Sequence, residues 1–270
     1  PATSVVFGEQ GSGKTALRLQ MASALQKHNA ENPDQKAFVV VYDDFNPFLD
    51  AFRERLWGRK RRPEKALHHW RLWDHMDALL SLATTRLANA VRGDQQTGSA
   101  VPLTIDSAKV SALSPHEKRD VLLLASLYDH NRDYGHVERW NALRKKLRFS
   151  NWIRWWDVAL GSIVSLLTLI LTLSIGGWSY LITWWFWLII VLGWLPFGWH
   201  QLRLTWWSWR IKRQIRVLEH QINPLRRTLS GLTRTDLVGQ PLPTRARGDD
   251  RYELIRKLQA VLKTLGYTSI

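Results

Sequence analysis

Cysteine is absent from this sequence of 270 residues, which excludes disulfides and thiolate metal sites and fits a reducing compartment. Acidic residues are scarce: 23 Asp and Glu stand against 38 Lys and Arg, leaving a formal net charge of +15 and a pI near 10.5. Such an excess implies an anionic partner, whether a nucleotide, a nucleic acid or an acidic lipid surface. The N-terminus lacks the charged-then-apolar pattern of a signal peptide. Pro1 comes first, and only Ser4 to Phe7 precede a glycine-rich stretch. A buried parallel strand needs about five or six residues, so the first strand reads as clipped and the sequence as a fragment. Charge is missing altogether from two long apolar runs, Val158 to Ile175 (18 residues) and Ser179 to Trp199 (21 residues).

The most specific stretch is Gly8-Glu9-Gln10-Gly11-Ser12-Gly13-Lys14-Thr15, which fits G-x-x-x-x-G-K-[ST] at every fixed position. Glycines let the backbone curl until successive N–H groups converge on a phosphate, an approach that side chains would obstruct. Lys14 can reach the β- and γ-phosphates, and the Thr15 hydroxyl offers one Mg²⁺ position. Val5-Val6-Phe7 reads as a short apolar strand before the loop. Leu17, Met21 and Leu25 form an i, i+4, i+8 stripe on a helix from Lys14 to about His28. The amides and dipole at the start of that helix would face the anion. The competing reading is a chance glycine-rich turn.

A second strand is expected over Ala37 to Tyr42, "AFVVVY", ending in Asp43-Asp44. Apolar residues followed by an acid are what a Walker B strand looks like, where a carboxylate holds Mg²⁺ through water. Asp43 or Asp44 is therefore a candidate metal residue, with a helix cap or a solvated pair as the alternative. Gly58 to Pro63 is a basic run, read as an anion contact or as a solvated loop. Ala66 to Arg92 reads as one long helix. His68, His69, His75 and Asp77 on it are either part of a metal site or ordinary core-edge positions, His68 and His75 lying seven apart. Ser114-Pro115-His116-Glu117 predicts a helix start with a reciprocal cap and proline at the first position. The helix that it opens is apolar from Val121 to Leu127 and is expected to be buried.

Each uncharged run can cross a hydrocarbon core of about 30 Å at about 1.5 Å per residue. Gly176-Gly177 between them allows a tight reversal. Lys145, Lys146, Arg148 and Arg154 precede the pair, and Arg203, Arg210, Lys212 and Arg213 follow it, while the connection has no basic residue. The positive-inside rule then puts both chain ends in the cytosol. Of 16 tryptophans, 13 lie between Trp140 and Trp209, clustering where indoles anchor at headgroup level. The alternative is a buried hairpin of a soluble core. Neither run contains Asp, Glu, Lys, Arg or His, so anchoring or homo-oligomerisation is expected rather than an ion path.

Beyond the hairpin, Leu202 to Leu229 reads as a basic amphipathic helix kinked at Pro224, pairing with a helix over Gly135 to Phe149 as a stalk. From Gln201 to Ile270 there are 14 Lys and Arg against 5 acids. Basic residues beside a span favour anionic lipid headgroups over nucleic acid. Tyr252 to Leu265 is a helix closed by Gly266, and Tyr267 to Ile270 begins a strand.

In its order of parts the chain resembles the KAP family of P-loop NTPases, in which membrane helices interrupt the nucleotide domain between Walker A and Walker B. "GEQGSGKT", the stretch "VVVYDDFNPF" and the Trp-rich hairpin carry the likeness. Phe48 stands near where such proteins often carry tryptophan, and no clear Walker B follows the hairpin. The resemblance implies an α/β P-loop NTPase fold, a partial parallel sheet with helices, interrupted by a two-helix transmembrane hairpin and flanking basic helices. On that reading residues 1–134 begin the NTPase domain, 135–156 form a juxtamembrane helix and 157–200 the hairpin. Residues 201–232 form a basic coiled-coil-like helix, and 233–270 return to the NTPase domain, whose Walker B strand starts at Ile270 or beyond. ATP and Mg²⁺ are the implied cofactors, and a bacterial inner membrane the implied setting. Hydrolysis would serve assembly or signalling at the cytosolic face; the alternative is a membrane scaffold or switch that binds nucleotide without turnover.

Overall fold

The computed structural model describes Glu9, Gly11 and residues 13–94, 101–130, 135–149, 156–176 and 183–269. Of these residues 72% are helical. The chain runs through α1 (Lys14–Glu31), β1 (Lys36–Ala37), α2 (Asn46–Glu54), a 3-10 turn (Gly58–Arg61), α3 (Pro63–His69) and α4 (Leu72–Arg92). It continues through α5 (Ser107–Ala112), α6 (Pro115–Tyr128), α7 (His136–Lys146), α8 (Trp156–Gly176) and α9 (Trp184–Gln214). Finally come α10 (Ile222–Leu229), α11 (Arg234–Leu237), α12 (Asp249–Thr264) and β2 (Tyr267–Ser269).

This overturns the expected α/β P-loop NTPase fold: the molecule is mostly helical. Among the described residues the sheet consists of β1 and β2 alone, parallel, with Lys36 opposite Tyr267 and Ala37 opposite Ser269. The reason lies in where the backbone of "AFVVVY" finds its partners. Asn29 of α1 turns its carboxamide onto Ala37, donating from Nδ2 to the carbonyl at 2.9 Å and accepting from the amide at 2.7 Å. Arg86 of α4 donates to the Val39 carbonyl at 2.6 Å and also holds the Val101 carbonyl. Groups satisfied in this way need no neighbouring strand. Phe38 is buried instead, edge-on to Tyr267 with ring centroids 6.0 Å apart. The other expected strand, Val5 to Phe7, lies outside the described residues.

The core is built around α6, in which every residue from Val121 to Tyr128 is buried as its apolar run predicts. Its start is the expected reciprocal cap: Ser114 N–H donates to Glu117 Oε2 at 2.8 Å, and Glu117 N–H donates to Ser114 Oγ at 3.3 Å. Helices α4, α7, α10 and α12 pack around α6. Leu204, Trp207 and Ile211 bring the distal half of α9 into the same cluster, which runs from Phe38 to Tyr267. Segments on both sides of the hairpin therefore share one apolar interior.

Two long helices expected from periodicity are each divided. Ala66 to Arg92 breaks at Trp70 and Arg71, because Asp74 turns back to accept the Arg71 N–H at 2.7 Å and starts α4 afresh. Leu202 to Leu229 breaks after Gln214, so Pro224 falls in the first turn of α10 rather than at a kink, where its missing N–H leaves nothing unpaired. Arg55 satisfies the carbonyls exposed by that break: its guanidinium donates to Ile215 O at 2.8 Å and to the carbonyls of Lys212 and Leu218. Ile211, Ile215, Leu218, Leu225 and Leu229 are all buried, within the helical core rather than in a free-standing stalk.

One helix among the described residues is long and apolar enough to cross a membrane, by length and composition: Val158–Ile175 in α8, with mean hydropathy 2.3 and 6% of that window buried. The first residues of the second predicted span, 179–182, lie outside the described residues. Its remainder, Thr183 to Trp199, is uncharged; Thr183 stands at the N-cap, and Trp184 to Trp199 form the first half of α9. The two helices pack through reciprocal small residues. A Cβ on Gly161 would lie 2.9 Å from the Trp194 indole, and one on Gly193 would lie 2.6 Å from Val164. Trp194 Nε1 donates to Ser165 Oγ at 3.0 Å, and that hydroxyl donates to the Gly161 carbonyl at 2.8 Å. Small residues at these positions let the two helix backbones approach closely.

Candidate functional site

Of the phosphate-loop residues, Glu9, Gly11, Gly13, Lys14 and Thr15 are described; Gly8, Gln10 and Ser12 lie outside the described residues. Gly11 and Gly13 both have left-handed backbones, with φ of 89° and 82°. A Cβ on either would meet nothing within 4 Å, so glycine is required there for conformation and not for space. Gly13 leads directly into α1 at Lys14. The first turn of α1 has no side-chain cap and no acidic residue, so no local carboxylate offsets its amide ends and dipole. Lys14 Nζ donates to the Glu9 carbonyl at 2.7 Å, closing the loop over itself.

The expected helix is present, but its apolar stripe is not core: no residue of α1 is buried, and Leu17 and Met21 are 38% and 54% exposed. α1 is instead fixed by polar ties, Asn29 to β1 and Arg18 to Asp43. Arg18 stands one turn after Lys14, so the Arg18–Asp43 pair brings that carboxylate to the face of α1 that carries Lys14. The Arg18 guanidinium beside Asp43 holds its carboxyl below the usual carboxylate range. Asp44 behaves differently: its Oδ1 accepts the Asn46 N–H at 3.0 Å, which starts α2. Of the two acids, the structure brings Asp43 and not Asp44 to α1.

The histidines do not converge. His75 Nδ1 lies 3.2 Å from the Tyr42 hydroxyl and is edge-on to Tyr42 and Trp70, within an aromatic cluster. His68 is exposed, and Asp77 is engaged elsewhere. Among the described residues, no group of three or more His, Asp or Glu is placed to hold a metal ion.

What the spacing of residues did not disclose is a set of buried Arg–Asp pairs. Arg251 of α12 binds Asp77 of α4 through two hydrogen bonds, 2.8 and 2.9 Å long, with both side chains 0% exposed. The Tyr128 hydroxyl of α6 donates to the same carboxylate at 2.8 Å. Burial pushes the Asp77 carboxyl up to about 6, against the opposing pull of Arg251. Arg139 grips Asp129 at 3.0 and 2.8 Å and donates to Asn89 Oδ1 at 2.8 Å. Arg216 donates to Asp74 at 2.6 Å and stacks on Phe52, 4.8 Å from its centroid. Charged residues inside otherwise apolar helical stretches were the available signal, but their partners lie 10 to 174 positions away. No family model matches the chain, and comparison with curated proteins and with solved structures found no match either.

Proposed function

We propose that this chain is a membrane-anchored nucleotide-binding protein that takes ATP and Mg²⁺ at Gly8 to Thr15 and uses binding and hydrolysis to drive assembly or signalling at the cytosolic membrane face. The observation that carries the reading is the conjunction of motif and backbone: G-x-x-x-x-G-K-[ST], with Gly11 and Gly13 at positive φ leading straight into α1 at Lys14. Lys14 would neutralise the terminal phosphates, and Thr15 would offer its hydroxyl to Mg²⁺. Asp43, drawn to the same helix by Arg18, is the nearest candidate for a second Mg²⁺ contact. The loop "GEQGSGKT", the stretch "VVVYDDFNPF" and the Trp-rich hairpin downstream are what the likeness to the KAP family rests on, and a bacterial inner membrane goes with it.

The anchoring half of the proposal is supported by the hydropathy and exposure of Val158–Ile175 and by the reciprocal packing of α8 and α9. Both ends of the hairpin lead into one shared core, which supports their leaving a bilayer on the same side. Flanking Lys and Arg make that side the cytosolic one. A second reading, a nucleotide-dependent switch or scaffold without turnover, is favoured by the engagement of both candidate acids, Asp43 with Arg18 and Asp44 with the start of α2.

The test uses the full chain in detergent. Lys14→Ala should weaken ATP binding about tenfold to a hundredfold, the worth of a charge-assisted contact to phosphate, and abolish any turnover. Unchanged affinity and turnover in that variant would overturn the assignment. Binding without hydrolysis in the parent protein would select the switch.

A further inference from the structure

Beside the point where α9 leaves the hairpin, a concave pocket of about 260 Å³ is lined by Arg203, Trp207, Gln240, Thr244, Arg245 and Asp250. Its two cations, half-buried Arg203 and exposed Arg245, differ from the aspartate-paired arginines of the chain. Arg139, Arg216 and Arg251 are each matched to an aspartate, whereas among the described residues neither Arg203 nor Arg245 makes an ion pair. Arg203 is held by stacking: its guanidinium carbon lies 4.6 Å from the centroid of the nearly buried Trp207 indole. Stacking fixes the plane of the fork and leaves its N–H edges for a planar oxyanion. Gln240 adds a buried Oε1 with no hydrogen-bond partner, an acceptor waiting for a donor. Two arginines and Asp250 leave the pocket with one net positive charge.

Depth points to the source of the anion. Arg203 follows Trp199, the last residue of the uncharged stretch, by four positions, or about 6 Å of helix. The polar layer outside a hydrocarbon core is about 5–7 Å thick, so Arg203 stands where lipid phosphates lie. We infer that this pocket is a binding site for the phosphodiester headgroup of an anionic phospholipid, with Arg203 and Arg245 on the phosphate and Gln240 accepting from a headgroup hydroxyl. The site deepens the membrane reading above and rests on it. One net positive charge matches one phosphodiester, and a hydroxyl donor matches a glycerol headgroup better than a choline.

The experiment is lipid retention by native mass spectrometry. The full chain is taken from vesicles containing equal amounts of phosphatidylglycerol and phosphatidylcholine. One phosphatidylglycerol should stay bound per chain. The double variant Arg203→Lys, Arg245→Lys keeps every charge but loses both forks, and retention should fall about tenfold. Arg210→Lys with Arg213→Lys alters two arginines that stack on Trp206 and Trp209 of the same helix outside the pocket, and should leave retention unchanged. Equal losses in the two variants, or equal retention of phosphatidylcholine, would overturn the pocket in favour of general surface charge. Loss of bound lipid on adding millimolar glycerol phosphate would assign the site to a soluble phosphate and overturn the lipid. Flotation with the vesicles separates the two levels: a chain that does not float overturns the membrane reading itself, while one that floats without selective retention overturns only the pocket.

Discussion

His220 shows how strongly one buried side chain ties this fold to pH. Its Nε2 lies 2.7 Å from the Leu127 carbonyl, and its Nδ1 is buried without a partner. Burial pushes the imidazole down to about 3, with His136, Arg55 and His130 adding repulsion. A folded value below the ordinary 6.5 means that stability is fully present above pH 6.5 and is lost as pH falls toward 3. Between pH 7 and pH 5 the loss from this group is about 2 kcal/mol. His136 shifts in the same direction, whereas Asp77, raised to about 6, gains stability as pH falls through that value. Urea unfolding of parent and His220→Gln at the two pH values isolates the first contribution: the variant should show about 2 kcal/mol less acid sensitivity, and an identical slope would contradict the assignment. The Asp77–Arg251 pair gives a second residue-scale expectation. Arg251→Met should cost about 3–5 kcal/mol by stranding Asp77 in the core, and Asp77→Leu in the same chain should recover much of it. Denaturant midpoints of the single and double variants check this.

Among the elements, those legible in the sequence were the ones specified by their neighbours in sequence. Ser114 and Glu117 cap α6 across three residues, Gly266 ends α12 with φ of 93°, and Tyr267–Ser269 is the strand its residues predict. The helix expected from Lys14 is likewise present, entered through Gly13 in a left-handed backbone. The sheet was not legible, because its width is decided by Asn29 and Arg86, whose hold on Ala37 and Val39 spans 8 and 47 positions. Nor were the breaks before α4 and after α9, where Asp74 and Arg55 outcompete continuous helix. The hairpin offers a test of packing at this scale. Gly193→Ala places a methyl 2.6 Å from Val164, and overpacking of this kind costs about 1–3 kcal/mol. The thermal midpoint in detergent should fall, and Val164→Ala in the same chain should restore it; a Gly193→Ala variant as stable as its parent would mean that α8 and α9 do not pack this way in lipid.

For the molecule as a whole, the shared interior makes topology testable independently of charge. Because the chain has no cysteine, a single one can be placed on each side of the hairpin, at Ser111→Cys and Lys263→Cys, both at exposed positions. In sealed vesicles an impermeant maleimide should label both or neither; labelling of one alone would mean that the chain crosses an odd number of times. Composition announced the apolar helix Val158–Ile175, while the fold around it depended on long-range pairing that no local pattern encodes. Arg55 gives that pairing a mechanical meaning. It belongs to the turn that ends α2, just after the Asp43-Asp44 segment, and its guanidinium grips three carbonyls at the far end of α9. Charge-assisted bonds of this kind are worth about 1.5–3 kcal/mol each, so the grip outlasts ordinary thermal jostling. Any displacement of α2 must therefore drag the core-packed end of α9 with it or tear all three bonds, and a strain raised near Asp43 has a direct tether to the helix that continues from the apolar Trp184–Trp199 stretch.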